Sequence, residues 1–248
     1  MSELNKNYIT SCLFYKDNKL YNEDDDGKVV KINVKNWHKY LSDYGWEKLD
    51  WGWKRRLKHL DKNFRYGILD CGSNGDCLFH VIAEGLNNIR TGECNYDVQT
   101  LRKLASMEIT EDNFEIILES YKLEEEDGEF IGDWNPNNIR KKEDLQNELI
   151  KMGDNFWGDH LVLQLLQKSL KINIIILNSS DNEHKYKVHP TASDLDKYDK
   201  TRVLYYLDGL HFQLVGYYTK NEMKTCFKKN EIPIELLSIY EIDCHKIE

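Results

Sequence analysis

A cysteine that follows a polar, glycine-bearing loop and opens an apolar helix is placed for reactivity. Cys77 has that setting, after Gly72-Ser73-Asn74-Gly75-Asp76 and before Leu78-Phe79-His80-Val81-Ile82-Ala83. Free amide hydrogens and the positive end of a helix dipole favour a thiolate over a thiol. The same amides can face a developing oxyanion, with Gly75 allowing close backbone approach. By this setting alone, a cysteine before a helix is more often a small core residue. A cysteine nucleophile also needs a base, usually a histidine brought near by the fold. Of the eight histidines, His38, His59, His184, His189 and His245 sit in polar surroundings, His80 reads as packing, and His160 stands at a helix start. His211 opens an apolar run directly after Asp208-Gly209-Leu210, and a strand end at a sheet rim can hold a side chain toward a cleft. Taken alone, it reads as a hydrogen-bonded rim residue.

The elements that would position these residues follow from periodicity and breakers. Arg202–Leu207 and His211–Tyr218 flank Asp208-Gly209, the strongest short-range hairpin signal. Ile172–Leu177 predicts a buried strand and 185–189 another short one. Helices are predicted after Cys77 and at 97–108, 111–126, 139–152 and 157–171, with a loop over 127–138. The first 35 residues read as short strands with a turn at Asp24-Asp25-Asp26-Gly27, whose spacing lacks that of a calcium loop. Trp37, Tyr40, Leu41 and Tyr44 predict an amphipathic helix, and Trp51, Trp53, Leu57 and Leu60 a second. The tryptophans at 37, 46, 51 and 53 read as packing of this segment on the main body; a Trp-rich interaction surface is the other reading. A tail over 221–248 is expected to be helical.

Composition narrows the class. The chain has 248 residues, 40% apolar and 31% charged, with a formal net charge of −9. A packed core is expected and a general nucleic-acid binder is not, because phosphate neutralisation needs clustered Lys and Arg. No apolar run approaches the roughly 20 residues of a membrane span, and the N-terminus carries no apolar leader. The cysteines at 12, 71, 77, 94, 226 and 244 form no CxxC pair, so thiols in a reducing compartment are expected. Lysine outnumbers arginine 27 to 7, as in an A/T-rich genome.

Three blocks in order resemble the ovarian-tumour (OTU) deubiquitinases. Asn74-Gly75-Asp76-Cys77-Leu78-Phe79-His80 is similar to the family's cysteine box, usually Asp-Gly-Asn-Cys-Leu-Phe. Trp157-Gly158-Asp159-His160-Leu161-Val162-Leu163-Gln164 followed by Lys171–Ile176 is similar to its central helix and strand, and His211-Phe212-Gln213-Leu214-Val215 to its C-terminal box. The resemblance covers about residues 64–219 and reverses the bland readings of Cys77 and His211. It implies an α+β, papain-like OTU fold: a small mixed or antiparallel sheet flanked by helices, with the cysteine at a helix N-terminus and the histidine on a strand. It divides the chain into an N-terminal extension (1–63), a catalytic domain (64–219) and a C-terminal helical tail (220–248).

The resemblance also implies roles. Cys77 would attack the carbonyl carbon of an isopeptide bond after the C-terminal glycine of ubiquitin, and His211 would take and return the proton. The loop at Gly75 and Asp76 would supply oxyanion donors, and Trp157 would pack near the histidine strand. The family has Asp where Asn74 stands, and often Asn or Asp where Gln213 stands. Asn74 and Gln213 rank equally as the third catalytic residue, with Asp70, ahead of the loop, below them. No metal or organic cofactor is implied. The expected partner is ubiquitin, polyubiquitin or a ubiquitin-like modifier, with no nucleic acid or membrane, and a monomer is expected. A viral source, with action in the host cytoplasm, is the favoured setting. The alternative is a weakened or inactive OTU-like protein that only binds ubiquitin, which Asn74 and Gln213 keep open.

Overall fold

The computed structural model describes residues 7–57, 64–87, 95–179, 186–190, 195–207 and 211–244. Strands β1 (Asn7–Tyr8), β2 (Leu13–Lys16), β3 (Lys19–Glu23) and β4 (Val29–Lys31) form a four-stranded antiparallel sheet in sequence order. Asp17 and Asn18 both take positive φ between β2 and β3, the two-residue turn whose twist suits a hairpin. Next come α1 (Trp37–Tyr40), β5 (Trp46–Lys48) and α2 (Trp51–Arg56). The helix expected across Trp37–Tyr44 is a single turn, followed by a 3-10 turn at Ser42–Tyr44 that Gly45 ends at φ 81°. Tertiary burial explains the break. Trp37 is fully buried, stacks on Tyr218 at 6.2 Å and donates Nε1–H to the Phe64 carbonyl at 3.2 Å, and the chain then bends into β5. Trp53 is buried and Trp46 packs on the core, so only Trp51, 67% exposed, stands out of the packing.

The large sheet orders β5, β6 (Tyr66–Leu69), β10 (His211–Tyr218), β9 (Lys200–Leu207), β7 (Ile172–Ser179) and β8 (Lys187–Pro190). Its β7–β9 pair is parallel and the others antiparallel. Thus β5, from the N-terminal 63 residues, hydrogen-bonds directly to β6. The expected helical tail instead begins with β11 (Met223–Lys224) on β10 and β12 (Phe227–Lys228) on β9 before reaching α8 (Ile234–Cys244). Those short strands cover backbone that the two central strands would otherwise leave unpaired. The Asp208-Gly209 turn lies outside the described residues.

One face of this sheet carries α3 (Cys77–Leu86), α4 (Val98–Met107), α5 (Glu111–Glu126), α6 (Lys142–Ile150) and α7 (His160–Leu170). The other carries α2 and α8. Alternate residues serve the two layers: Ile174, Ile176, Leu204, Phe212 and Leu214 face the first, and Ile175, Leu177, Val203, Tyr205 and Val215 the second. That explains why β7 is apolar on both faces over residues 174–177, since a strand covered on both sides has no solvent face. Side-chain caps set several helix starts. Asp97 accepts from the Thr100 amide at 2.7 Å, and Asp159 accepts from the Val162 amide at 2.8 Å. The second cap starts α7 at His160, three residues later than the pattern predicts.

Candidate active site

The chain reaches the cysteine through a tight loop. Gly72, at φ 153°, lies against the His80 ring, where an added Cβ would come within 2.6 Å of the imidazole. Asn74 takes φ 65°, which asparagine tolerates better than most residues, and begins a 3-10 turn over Asn74–Asp76. The Cys77 amide closes that turn on the Asn74 carbonyl, and Cys77 starts α3. At 2% exposure its thiol is buried. Burial pushes its pKa up; the Phe212 and Leu78 amides that face the sulfur pull the other way, and the Asp70 and Asp76 carboxylates add to the rise. The amides expected to favour a thiolate are therefore present, but burial outweighs them and moves the thiol's pKa upward.

The helix that Cys77 opens packs on β10, and the Phe212 amide, next to His211 on that strand, is one of the groups that lower the Cys77 pKa. His211 is the first residue of that strand. Its Nε2 stands 3.2 Å from Asp70 Oδ2. Asp70 follows the end of β6, and its other oxygen accepts from the Gly72 amide at 3.1 Å, so the carboxylate is oriented by its own loop. With Nε2 turned to Asp70, Nδ1 is the ring nitrogen that Asp70 does not engage.

The residues ranked ahead of Asp70 lie elsewhere. Asn74 is exposed, and its left-handed backbone is the feature the structure uses. Gln213 is half-buried two residues beyond His211, but its Oε1 has no hydrogen-bond partner and so does not take the imidazole N–H. The carboxylate beside the histidine thus comes from the end of β6. The oxyanion expectation also changes. The Gly75 amide donates to Asp154 Oδ1 at 2.9 Å, so in this structure that N–H is turned to a carboxylate rather than left free. The Asp76 side chain points inward to an ion pair with Arg102. A Cβ at Gly75 would sit 2.3 Å from the Gly153 carbonyl, which is why the loop needs glycine there. Trp157 is half-buried and outside the core cluster; its neighbour Phe156 enters the aromatic cluster instead, stacked on Trp134 at 5.1 Å.

Sequence reasoning missed Tyr206. It pairs with Phe212 across the β9–β10 ladder and stacks on it at 4.5 Å. Burial raises its pKa, with Cys77 and Asp159 adding to the rise. The usable signal was that Tyr206 and His211 flank Asp208-Gly209 in the sequence. Asp154 was missed as well, and nothing in its local sequence ties it to Gly75. Among the described residues no cluster of His, Cys, Asp and Glu could hold a metal ion.

A protein family described as OTU-like cysteine protease matches residues 72–212. No curated protein matches the chain in sequence. Among solved structures, the chain is similar to an ovarian tumor (OTU) domain in complex with ubiquitin, with 19% identity and a TM-score of 0.45, covering 70% of this chain and 81% of that one. It is similar to an OTU deubiquitinase from Wolbachia pipientis wMel bound to ubiquitin, with 14% identity and a TM-score of 0.43, covering 63% and 99%. It is also similar to the viral OTU domain protease from Dera Ghazi Khan virus, with 14% identity and a TM-score of 0.42, covering 62% and 83%. The family match carries the weight, because it spans more than half of the chain.

Proposed function

Because this chain belongs to the OTU-like cysteine protease family, we propose that it is a deubiquitinase that hydrolyses the isopeptide bond after the C-terminal glycine of ubiquitin. In this reading His211 Nδ1 takes the Cys77 proton as sulfur attacks the carbonyl carbon. The imidazolium then returns the proton to the leaving lysine amine, and water attacks the resulting thioester with His211 again as base. Asp70 holds the imidazole in the tautomer with Nε2–H and stabilises its charged form, in the manner of the carboxylate of a catalytic triad.

The observation that carries the reading is the 3.2 Å approach of Asp70 to His211 Nε2, at the start of the strand on which the Cys77 helix packs. Because burial shifts the thiol toward its protonated form, the cysteine in this reading draws on that base. The Gly75 amide must exchange Asp154 for the substrate oxyanion if it is to serve as a donor. The non-catalytic alternative leaned on Asn74 and Gln213; with a carboxylate supplied by Asp70 it is the weaker reading.

A ubiquitin carrying a C-terminal electrophile tests the proposal. Covalent labelling of wild type and none of Cys77→Ala is the expected result. Binding without labelling of the wild type would leave the non-catalytic reading.

A further inference from the structure

Arg102 has no exposed surface, lies in the middle of α4 and reaches no cleft, yet its donors converge on the segments around the nucleophile. Nε–H donates to Asp76 Oδ1 at 2.7 Å, and Nη2 lies 2.6 Å from the same oxygen. Nη2 also donates to the carbonyls of Phe156 at 2.9 Å, Gly75 at 3.3 Å and Gly153 at 3.4 Å. Nη1 donates to the Leu149 carbonyl at 3.0 Å. The guanidinium plane lies 4.2 Å from the centre of the Phe79 ring, on the first turn of α3. Asp76 completes the circuit, because its Oδ2 accepts from the Gly153 amide at 2.7 Å.

One side chain therefore stitches the cysteine loop, the start of the cysteine helix and the 149–156 segment together. A buried guanidinium is a costly core filler, and an apolar side chain of similar volume generally packs a core at least as stably. This one sends its hydrogen bonds to groups that flank Cys77 or brace the segment against it. A guanidinium offers five donors in a rigid fork, which a lysine ammonium cannot reproduce.

Resting on the deubiquitinase reading above, we propose that Arg102 is a positioning residue for the reaction. It fixes the cysteine loop through Asp76 and the Gly75 carbonyl, so that sulfur and loop amides are held where the tetrahedral intermediate forms. It touches no substrate. Its loss should fall on kcat, because the geometry it sets matters most in the transition state.

Two measurements on the full chain test this. The first is hydrogen exchange in wild type, Arg102→Lys and Asp76→Asn. Faster exchange confined to peptides spanning 72–79 and 149–156, with the large sheet still protected, is expected. The second is turnover of a fluorogenic ubiquitin conjugate. Arg102→Lys is expected to lower kcat by roughly tenfold or more while KM stays within about twofold. Asp76→Asn should lower kcat by less, and the double variant should be no worse than Arg102→Lys, because residues in one network are not additive. If Arg102→Lys does not fold, Asp76→Asn carries the decision, since it preserves the side chain's shape but leaves one acceptor oxygen for two donors, Arg102 and the Gly153 amide. Unchanged exchange in these peptides, a folded variant with wild-type kcat, or additive losses would each overturn the proposal. A wild type that cleaves no ubiquitin conjugate would defeat the functional reading alone, and the exchange experiment would still decide whether the clamp exists.

Discussion

Two thiols six residues apart lie against the same strand, and they have different surroundings. The Cys71 thiol, just past the end of β6, donates to the Leu69 carbonyl at 3.5 Å, and the Leu214 amide lowers its pKa; at the start of α3 the Phe212 amide does the same for Cys77. Burial pushes the Cys71 thiol up to about 12, with the Glu84 and Asp70 charges adding to the rise. The Cys77 thiol is also raised by burial, but a second amide, that of Leu78 at the helix start, helps to oppose it. Cys77 further lies beside the strand residue that follows a histidine with a carboxylate on its far nitrogen. Reactivity here is a property of the neighbourhood. Both cysteines border the same loop, and only Cys77 opens a helix, on the strand side next to His211.

The sharpest way to break this contrast is to remove each sulfur. Cys77→Ala should abolish cleavage of ubiquitin conjugates and Cys71→Ala should leave kcat/KM within about twofold; activity that follows Cys71 would end the assignment. Removing the base comes next. His211→Ala should lower kcat by on the order of 10²–10⁴, the usual contribution of a positioned proton-transfer group. Asp70→Asn should lower kcat by roughly tenfold, a moderate loss because the carboxylate is largely exposed and well screened, while Gln213→Ala should change it by less than about twofold. The reverse order would return the third role to Gln213.

Smaller effects sharpen the picture through stability. A thiol whose folded pKa is raised holds its proton longer in the folded than in the unfolded chain. The stability linked to Cys71 is therefore complete below its ordinary value of 9.0 and is lost as pH rises toward about 12. Chemical denaturation at pH 8 and pH 10 should show a decline that is shallower in Cys71→Ala. Last, Asn74→Gly should fold as well as wild type, whereas Asn74→Val should lose about 1–2 kcal/mol in the same assay, because a branched side chain resists a φ of 65°. Equal stability of the two variants would show that the loop relaxes out of the left-handed conformation.

Much of the fold was legible. The apolar run from Ile172 announced a strand buried on both faces, and the strands at Lys200–Leu207 and His211–Tyr218 bracket the Asp-Gly signal. The segment after Trp37 misled because its helical spacing is real but short. Burying Trp37 against Tyr218, far along the chain, outweighed local propensity. The strands of the tail were hidden for a similar reason: Met223–Lys224 and Phe227–Lys228 are two residues each, too short to show a period.

By itself the sequence determined the chemistry on offer: a cysteine opening a helix after a glycine loop, a histidine opening a strand, and the order of the blocks between them. Those are local patterns, written in spacing and residue type. Which carboxylate would orient the histidine was decided in three dimensions. β6 pairs with β10 so that Leu69 faces Leu214, and the chain leaves the ladder at Asp70 beside the start of β10. The same holds for Arg102, whose partners lie 26 to 54 residues away along the chain. Ladder register and the burial of a charged side chain depend on contacts between distant segments, and no window of sequence around either residue contains them.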